Sequence, residues 1–280
     1  MKIVESLVVA LTLCAGGCGD HGAVSTPTPT TSVVPVRTVT GTIAAFVYDT
    51  ASRRLQGAVV EVVDGPATGL LATSDERGYL SMSGTFVVGP VTLRVSKQGY
   101  QTTVVKPTVP SDPALSYPLT LTLRSLATPI NLAGKYTLTF KADQGCSSDL
   151  PDEFRTRTYS ATIAPRNALA DTFGVTLAAS SLINTELGLA VSGDYVYLLI
   201  DPEFGGGLTE RLAADRYFQL YGSASGTGRP SGTWSIVFNG VFDYCEVNAG
   251  AQSSPWVCTV SNRTHQSCPS RQHELVFVKQ

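Results

Sequence analysis

Apolar and polar residues alternate with a period of two along most of the chain after about residue 38. In the stretch that opens the second half, Tyr136, Leu138 and Phe140 alternate with Thr137 and Thr139. This period places the apolar residues on one face of an extended strand, so it predicts half-buried β-strands. The repetition of the pattern over the rest of the chain predicts an all-β protein.

Residues 38–125 contain several such runs, separated by turns that carry glycine. Between the runs, the stretch Thr73–Gly78 combines Asp75 with Gly78, which is typical of a tight turn. Short strands with regular turns and no helical period predict a small β-sandwich. The strand candidates here are Gly41–Asp49, Leu55–Val62, Tyr79–Met82, Val91–Val95, a run from Gly99 toward Lys106, and Leu119–Leu123.

Four motifs in this region occur in a fixed order. They are Gly41-x-Ile43 followed by Asp49, Leu55-x-Gly57-Ala58, the turn Thr73–Tyr79, and Leu93-x-Val95-x-x-x-Gly99-Tyr100. With them the region resembles the carboxypeptidase regulatory-like domain, a seven-stranded transthyretin-like sandwich. The resemblance implies an accessory module, grouped with carbohydrate-binding-like folds, that contributes no catalytic residues.

A short linker, residues 126–131, precedes a second predicted domain, residues 132–280. Because the linker contains Pro129 and no apolar run spans it, we expect the two domains to unfold separately. About eight to ten strands over this length predict an antiparallel β-barrel or a large β-sandwich, and the opening Gly134-Lys-Tyr136 strand loosely resembles lipocalin-like barrels. Leu208–Asp215 is the one helix candidate. The strand candidates are Gly134–Phe140, Arg155–Ile163, Thr172–Ala178, Gly188–Ser192, Tyr195–Ile200, Arg216–Ser223, Gly232–Asn239, Val241–Val247, Trp256–Val260 and Glu274–Lys279.

The first residues have the pattern of an export signal. Residues 1–17 join Lys2 to the apolar run Leu7–Leu13, and small residues then precede Cys18. This ending resembles a bacterial lipobox, which implies cleavage before Cys18 and lipidation of its thiol; the alternative is an ordinary secretory signal. Residues 18–37, rich in Thr and Pro, predict an extended tether. The expected location is therefore the bacterial cell envelope, with a lipid anchor in a membrane.

Four further cysteines suit an oxidising compartment. Cys146 follows the first strand of the second domain and Cys268 precedes the last, so a closed barrel would make them neighbours. Cys245 and Cys258 flank a Gly-, Ser- and Pro-containing excursion that allows a hairpin return. We therefore predict the pairs Cys146–Cys268 and Cys245–Cys258. Pairing of Cys146 with a middle cysteine would instead indicate an open sandwich.

Charge and histidine content narrow the classes of function. The formal net charge of -2 leaves no basic stripe for nucleic acid. The three histidines show no metal-ligand spacing, so we expect no metal or other cofactor. His265 is expected in a polar loop and His273 beside the final strand. Neither accompanies a nucleophile motif, so no catalytic residue is predicted.

Aromatic side chains are the better functional candidates. Trp234, Trp256, Tyr195 and Tyr197 all lie in the second domain, where they could stack on an apolar or sugar ligand. The expected function is non-catalytic binding or adhesion at the envelope, with carbohydrate as the first ligand class and a glycan or another envelope component as the partner. Two alternatives stay open: a secreted hydrolase with its site in the second domain, and a purely structural spacer.

Overall fold

The computed structural model describes residues 36–112, 118–183, 186–200, 207–247, 258 and 262–280, and it is almost entirely β-structure. The predicted signal peptide, Cys18 and most of the tether lie outside these residues. No helix within the described part is long and apolar enough to cross a membrane. The all-β class predicted from the alternating pattern is confirmed.

The first half forms two facing sheets around one core. The strands are β1 Thr38–Asp49, β2 Val59–Val62, β3 Leu71–Thr73, β4 Tyr79–Val87, β5 Gly89–Pro90, β6 Leu93–Ser96, β7 Thr103–Val105, β8 Thr108–Val109 and β9 Leu119–Leu123. One sheet has the order β4-β1-β9 and the other β3-β2-β6-β7, while β5 and β8 form a separate short pair. The core residues come from both sheets, for example Val47 and Leu121 from the first and Val60 and Leu93 from the second.

The second half forms an eight-stranded antiparallel barrel, so the choice between barrel and sandwich is settled in favour of the barrel. The eight strands of the ring are β10 Gly134–Lys141, β11 Thr156–Pro165, β12 Thr172–Ala178, β13 Glu186–Ser192, β14 Tyr195–Ile200, β16 Arg216–Thr227, β17 Thr233–Val247 and β18 Asn262–Lys279, and a short ninth strand, β15 Leu208–Arg211, pairs with β16. The first and last strands pair antiparallel, and β14 closes the ring by pairing with β16.

Two sequence-based expectations about local structure were wrong. Leu208–Asp215 is not a helix, because Leu208–Arg211 pairs with one half of β16 while β14 pairs with the other half. His265 is not in a loop, because β18 is much longer than expected and continues the pairing with β17 through this residue. Both errors arose because long-range strand pairing outweighs local composition.

A glycine pair marks the point where β16 passes from β15 to β14. Gly222 and Gly240 lie opposite each other on β16 and β17. A Cβ atom on Gly222 would lie 2.3 Å from the Asn239 carbonyl oxygen, and one on Gly240 would lie 2.4 Å from the Tyr221 carbonyl oxygen. The two backbones therefore approach too closely for any side chain, next to a β-bulge at Phe238/Gly240.

The structure contains the disulfides Cys146–Cys268 and Cys245–Cys258, the pairing that the sequence predicted. Their Cα atoms lie 5.7 Å and 5.3 Å apart, within the usual range for a disulfide. The first bond ties the segment after β10 to β18, its antiparallel neighbour. The pairing is the one expected for a closed ring of strands.

Candidate functional site

His273 is held in the barrel wall by both ring nitrogens. It is 1% exposed, its Nδ1 accepts a hydrogen bond from the backbone N–H of Asp143 at 2.9 Å, and its Nε2 faces the Gly240 carbonyl oxygen at 3.2 Å. An accepting Nδ1 places the proton on Nε2, which then donates to Gly240. Burial lowers the pKa of His273. The neutral ring thus fixes two backbone segments and has no nitrogen left for proton transfer.

His265 forms the second histidine environment, on the strand pair β17–β18. Its Nε2 lies 3.4 Å from Oδ1 of Asp243, whose side chain is fully buried. Burial and the Asp243 carboxylate raise the pKa of the neighbouring Tyr221 to about 12. Within the described part of the chain, no serine or threonine hydroxyl is hydrogen-bonded to His265. The contact that the described residues show at His265 is therefore the one with the Asp243 carboxylate.

Glu210 is a buried carboxylate of the barrel that accepts several side-chain hydrogen bonds. It is 7% exposed and accepts from Tyr159 Oη at 2.9 Å, from Ser181 Oγ at 2.9 Å and from the guanidinium of Arg157. Burial and the Glu210 charge raise the pKa of Tyr159 above its usual range. These contacts join β15 to β11, so the lone pairs of Glu210 are used in holding strands together.

Three of the four aromatic residues predicted to bind ligand lie within the described part of the chain. Trp234 is 5% exposed and stacks on Phe277 with ring centroids 3.9 Å apart, so it packs in the core of the barrel, and its role in ligand binding stays a prediction. Tyr197 is partly buried on β14. Tyr195 is also partly buried, and the Arg53 guanidinium lies 4.8 Å from its ring centroid. Trp256 lies outside the described residues.

The contact of Arg53 with Tyr195 is one of several between the sandwich and the barrel. The Arg53 guanidinium also binds Asp49, whose side chain is fully buried, and donates to Tyr100 Oη at 2.9 Å. The Thr50 hydroxyl donates to the carbonyl oxygen of Val191 in the barrel. The two β-structures therefore have separate cores but share a polar junction.

A cleft of about 210 Å³ lies at this junction. It is lined by Thr50, Arg124 and Ser125 from the sandwich side, by the linker, and by barrel residues that include Leu169, Asp171 and Ser192. Arg124 Nη2 lies 2.7 Å from Asp171 Oδ2 across the junction. Asp171 and Ser192 are 5% and 2% exposed.

The two buried polar side chains of the cleft differ in their partners. Asp171 also accepts from the Asn167 side-chain amide, whereas the hydroxyl of Ser192 has no hydrogen-bond partner among the described residues. Sequence reasoning missed both, because neither belongs to a motif. Asp171 lies just before the start of β12, and Ser192 lies at the end of β13. These two strand ends are neighbours in the antiparallel sheet, which is why the two side chains lie close together.

Comparisons with known proteins give no functional assignment. No protein-family model matches the chain, and no curated protein matches it significantly in sequence. Among solved structures, the Bacillus anthracis TIE protein is similar over 83% of this chain and 48% of its own, at 12% identity and a TM-score of 0.25. This chain thus spans about half of that protein, and a similarity at this level carries no argument about fold or function.

Proposed function

We propose that this protein is a non-catalytic binding or adhesion protein of the bacterial cell envelope, anchored by a lipid on Cys18. The observation that carries the proposal is that two buried titratable groups of the barrel, His273 and Glu210, have their polar atoms occupied by protein partners. His273 uses both nitrogens on backbone partners, and Glu210 binds Arg157, Tyr159 and Ser181. Groups held in this way position strands and are not free to exchange protons with a substrate.

The sandwich and the barrel have different proposed roles. We propose that the sandwich is an accessory module of the carboxypeptidase regulatory-like type, which links the tether to the barrel. Arg53 and Arg124 join it to the barrel through charged and aromatic contacts, so the binding part would be presented at a fixed orientation. Carbohydrate remains the first ligand class, because the charge of the whole chain is near zero and favours neither nucleic acid nor a strongly charged partner.

The same junction favours a second candidate function, that of a structural spacer. A spacer needs rigidity between its parts and no ligand, and the contacts of Arg53 and Arg124 supply rigidity. Retention of the protein on immobilised glycans separates the two functions. Saturable retention supports binding, while absence of retention on every glycan of a broad array would leave the spacer function.

The anchor is tested by changing Cys18→Ser and following the protein in membrane and soluble fractions. We expect the variant to move to the soluble fraction, because acyl chains supply the membrane affinity. Cys14→Ser is the matched control, since it removes a thiol from the same segment and should leave the protein on the membrane. A Cys18→Ser protein that is processed normally yet stays with membranes contradicts the proposal.

A further inference from the structure

The strand β4 forms one edge of the three-stranded sheet β4-β1-β9 in the sandwich. It has nine residues, whereas the edge strands β3 and β7 of the facing sheet have three residues each. An open edge presents unpaired backbone N–H and C=O groups, and folded proteins usually keep such edges short or protect them. The long edge of β4 is therefore an exception within this molecule.

The hydrogen-bond register between β1 and β4 shows which backbone groups of β4 face away from the sheet. The Val47 N–H donates to the Gly78 carbonyl oxygen at 2.8 Å, and the Val88 N–H donates to the Arg37 carbonyl oxygen at 2.9 Å. The antiparallel pairing is continuous between these two bonds, so alternate residues of β4 direct their N–H and C=O groups away from β1. These residues are Tyr79, Ser81, Ser83, Thr85 and Val87.

Most of these outward groups have no partner in the sheet. Tyr79 is the exception, because its N–H donates to Asp75 Oδ1 at 2.9 Å and its carbonyl oxygen accepts from the Asp75 N–H at 2.8 Å. Within the described part of the chain, no backbone–backbone hydrogen bond reaches the outward groups of the other residues. Ser81, Ser83 and Thr85 are also exposed. A row of free donors and acceptors therefore runs along the strand.

The strand β4 also lacks the features that discourage strand pairing. Its sequence, Tyr-Leu-Ser-Met-Ser-Gly-Thr-Phe-Val, contains no charged residue and no proline, and its register with β1 runs without a bulge. Charged side chains, prolines and bulges are common means by which proteins keep edge strands from pairing. The edge is thus open to the addition of one more strand, a recurring way in which sheets bind extended segments.

The exposed side chains indicate that the added strand is a second copy of β4. Between β1 and β4, Thr42 Oγ1 lies 2.8 Å from Ser83 Oγ, and Thr40 Oγ1 lies 3.2 Å from Thr85 Oγ1. An antiparallel copy of β4 centred on Ser83 would again set small hydroxyl side chains opposite one another. Because β4 carries no charge, two copies do not repel each other, and a charged segment would find no opposite charge on it.

We propose that two copies of this protein pair antiparallel through β4, so that their β4-β1-β9 sheets join into one continuous sheet. Ser83 then lies opposite Ser83 of the second copy, on the two-fold axis, and Ser81 lies opposite Thr85 of the second copy. Each of these pairs exchanges two backbone hydrogen bonds. One strand from each copy makes a small interface, so we expect a weak, reversible dimer. The inference concerns assembly and depends neither on the proposed ligand nor on the lipid anchor.

Cysteine cross-linking of the full-length protein in detergent tests the register. Ser83→Cys would place two thiols on residues whose Cα atoms lie about 5.5 Å apart in the dimer, which is within the range for a disulfide. Ser81→Cys is the matched control, because it is exposed on the same strand but would lie four residues, or about 14 Å, from its own copy. We expect mild oxidation to link the Ser83→Cys protein into a dimer at least tenfold faster than the Ser81→Cys protein. Equal rates would contradict the proposed pairing.

A charge at the centre of the interface tests the dimer itself. Ser83→Lys sets two like charges opposite each other, so we expect light scattering to show monomers at concentrations where the wild type is dimeric. The fold should remain, because the Ser83 side chain is exposed and its backbone groups are not bonded to β1, and circular dichroism checks this. Thr122→Lys is the matched control, since Thr122 is exposed on β9 at the other edge of the same sheet. It should leave the dimer unchanged.

Three results would overturn the proposal. The first is a wild type that stays monomeric over the micromolar range, with no cross-link from Ser83→Cys. The second is a wild-type dimer that Ser83→Lys does not weaken, because that dimer forms through another surface. The third is a Ser83→Cys cross-link in cells to a different protein and not to a second copy, which would show that the edge receives another chain.

Discussion

The barrel is antiparallel throughout, whereas the sandwich includes one parallel pair, β1–β9, and the two structures also differ in how their sheets end. The barrel closes on itself through the pairs β10–β18 and β14–β16. The sandwich keeps open edges at β3 and β7, where Leu71 and Val104 are 59% and 57% exposed. Closure leaves no free row of backbone hydrogen-bonding groups, whereas open edges must be short or shielded, and β3 and β7 have three residues each.

Two buried carboxylates illustrate different uses of a polar group. In the sandwich, Asp49 stabilises a local turn by accepting from the backbone N–H groups of Ala51 and Arg53. In the barrel, Glu210 joins elements far apart in sequence by binding Arg157. Strand pairing is long-range in both halves, as β1–β9 and β10–β18 show, so the difference that matters is closure of the sheet.

The largest expected loss of stability follows from combining Cys146→Ala with Cys268→Ala. We expect this loss in the barrel and not in the sandwich. The bond spans a sequence separation of 122, so in the chain-entropy model its loss lowers the free energy of unfolding by about 4–5 kcal/mol. Both tryptophans lie in the second half, so tryptophan fluorescence in denaturant reports the barrel. Removing Cys245–Cys258, with a separation of 13, is the control and should cost about 3 kcal/mol. Equal losses in the sandwich, measured by hydrogen exchange, would show that the two halves are one cooperative unit.

A smaller loss of stability is expected from a substitution in the glycine pair of the barrel, Gly222 and Gly240. Gly240→Ala places a Cβ against the backbone of β16, and such overpacking costs about 1–3 kcal/mol. Gly188→Ala on β13 is the matched control, because a Cβ there meets nothing within 4 Å. Chemical denaturation should show a lower free energy of unfolding for Gly240→Ala than for Gly188→Ala. Equal values for the two variants would show that β16 and β17 can move apart to accommodate the added methyl group.

Acid should weaken the barrel more than the sandwich through His273. Burial lowers its pKa in the folded state, so below the ordinary value of about 6.5 the unfolded chain binds a proton that the folded chain resists. The stability contributed by the neutral ring is thus full above pH 6.5 and falls as the pH drops below it. Barrel melting temperatures from pH 7.5 to 5 should decrease in the wild type and vary less in His273→Gln. A wild-type profile that is flat over this range would contradict the assignment.

The smallest loss of stability is expected from a substitution at the junction between the sandwich and the barrel. Arg124→Gln removes a partly exposed ion pair with Asp171, which is worth about 1 kcal/mol or less. The loss should appear as faster hydrogen exchange in the linker, with little change in either core. Arg94→Gln removes the exposed pair with Glu61 inside the sandwich and should leave the linker unchanged. Identical exchange in both variants would mean that Arg124 does not couple the two halves.

Local alternation was sufficient to predict most of the strands. Thr172–Ala178 and Tyr195–Ile200 have the bounds read from the sequence, because period-two burial is a property of neighbouring residues. The cysteine pairs were also accessible, one from chain proximity and the other from the pairing of first and last strands. Both inferences need only short-range pattern and the connectivity of a simple barrel.

Tertiary structure alone decided the closure of the barrel and the composition of the cleft. The pairing of β16 with β15 along one half and with β14 along the other depends on the close approach at Gly222 and Gly240, which no local pattern marks. Arg124, Asp171 and Ser192 come from three separate segments and meet only where the sandwich rests against the barrel. Trp234 is an aromatic residue of the kind that can stack on a ligand, but its side chain is buried because its face of β17 lies inside the closed barrel. Contacts between residues distant in sequence carry no short-range signal, because they arise from packing after the strands have formed.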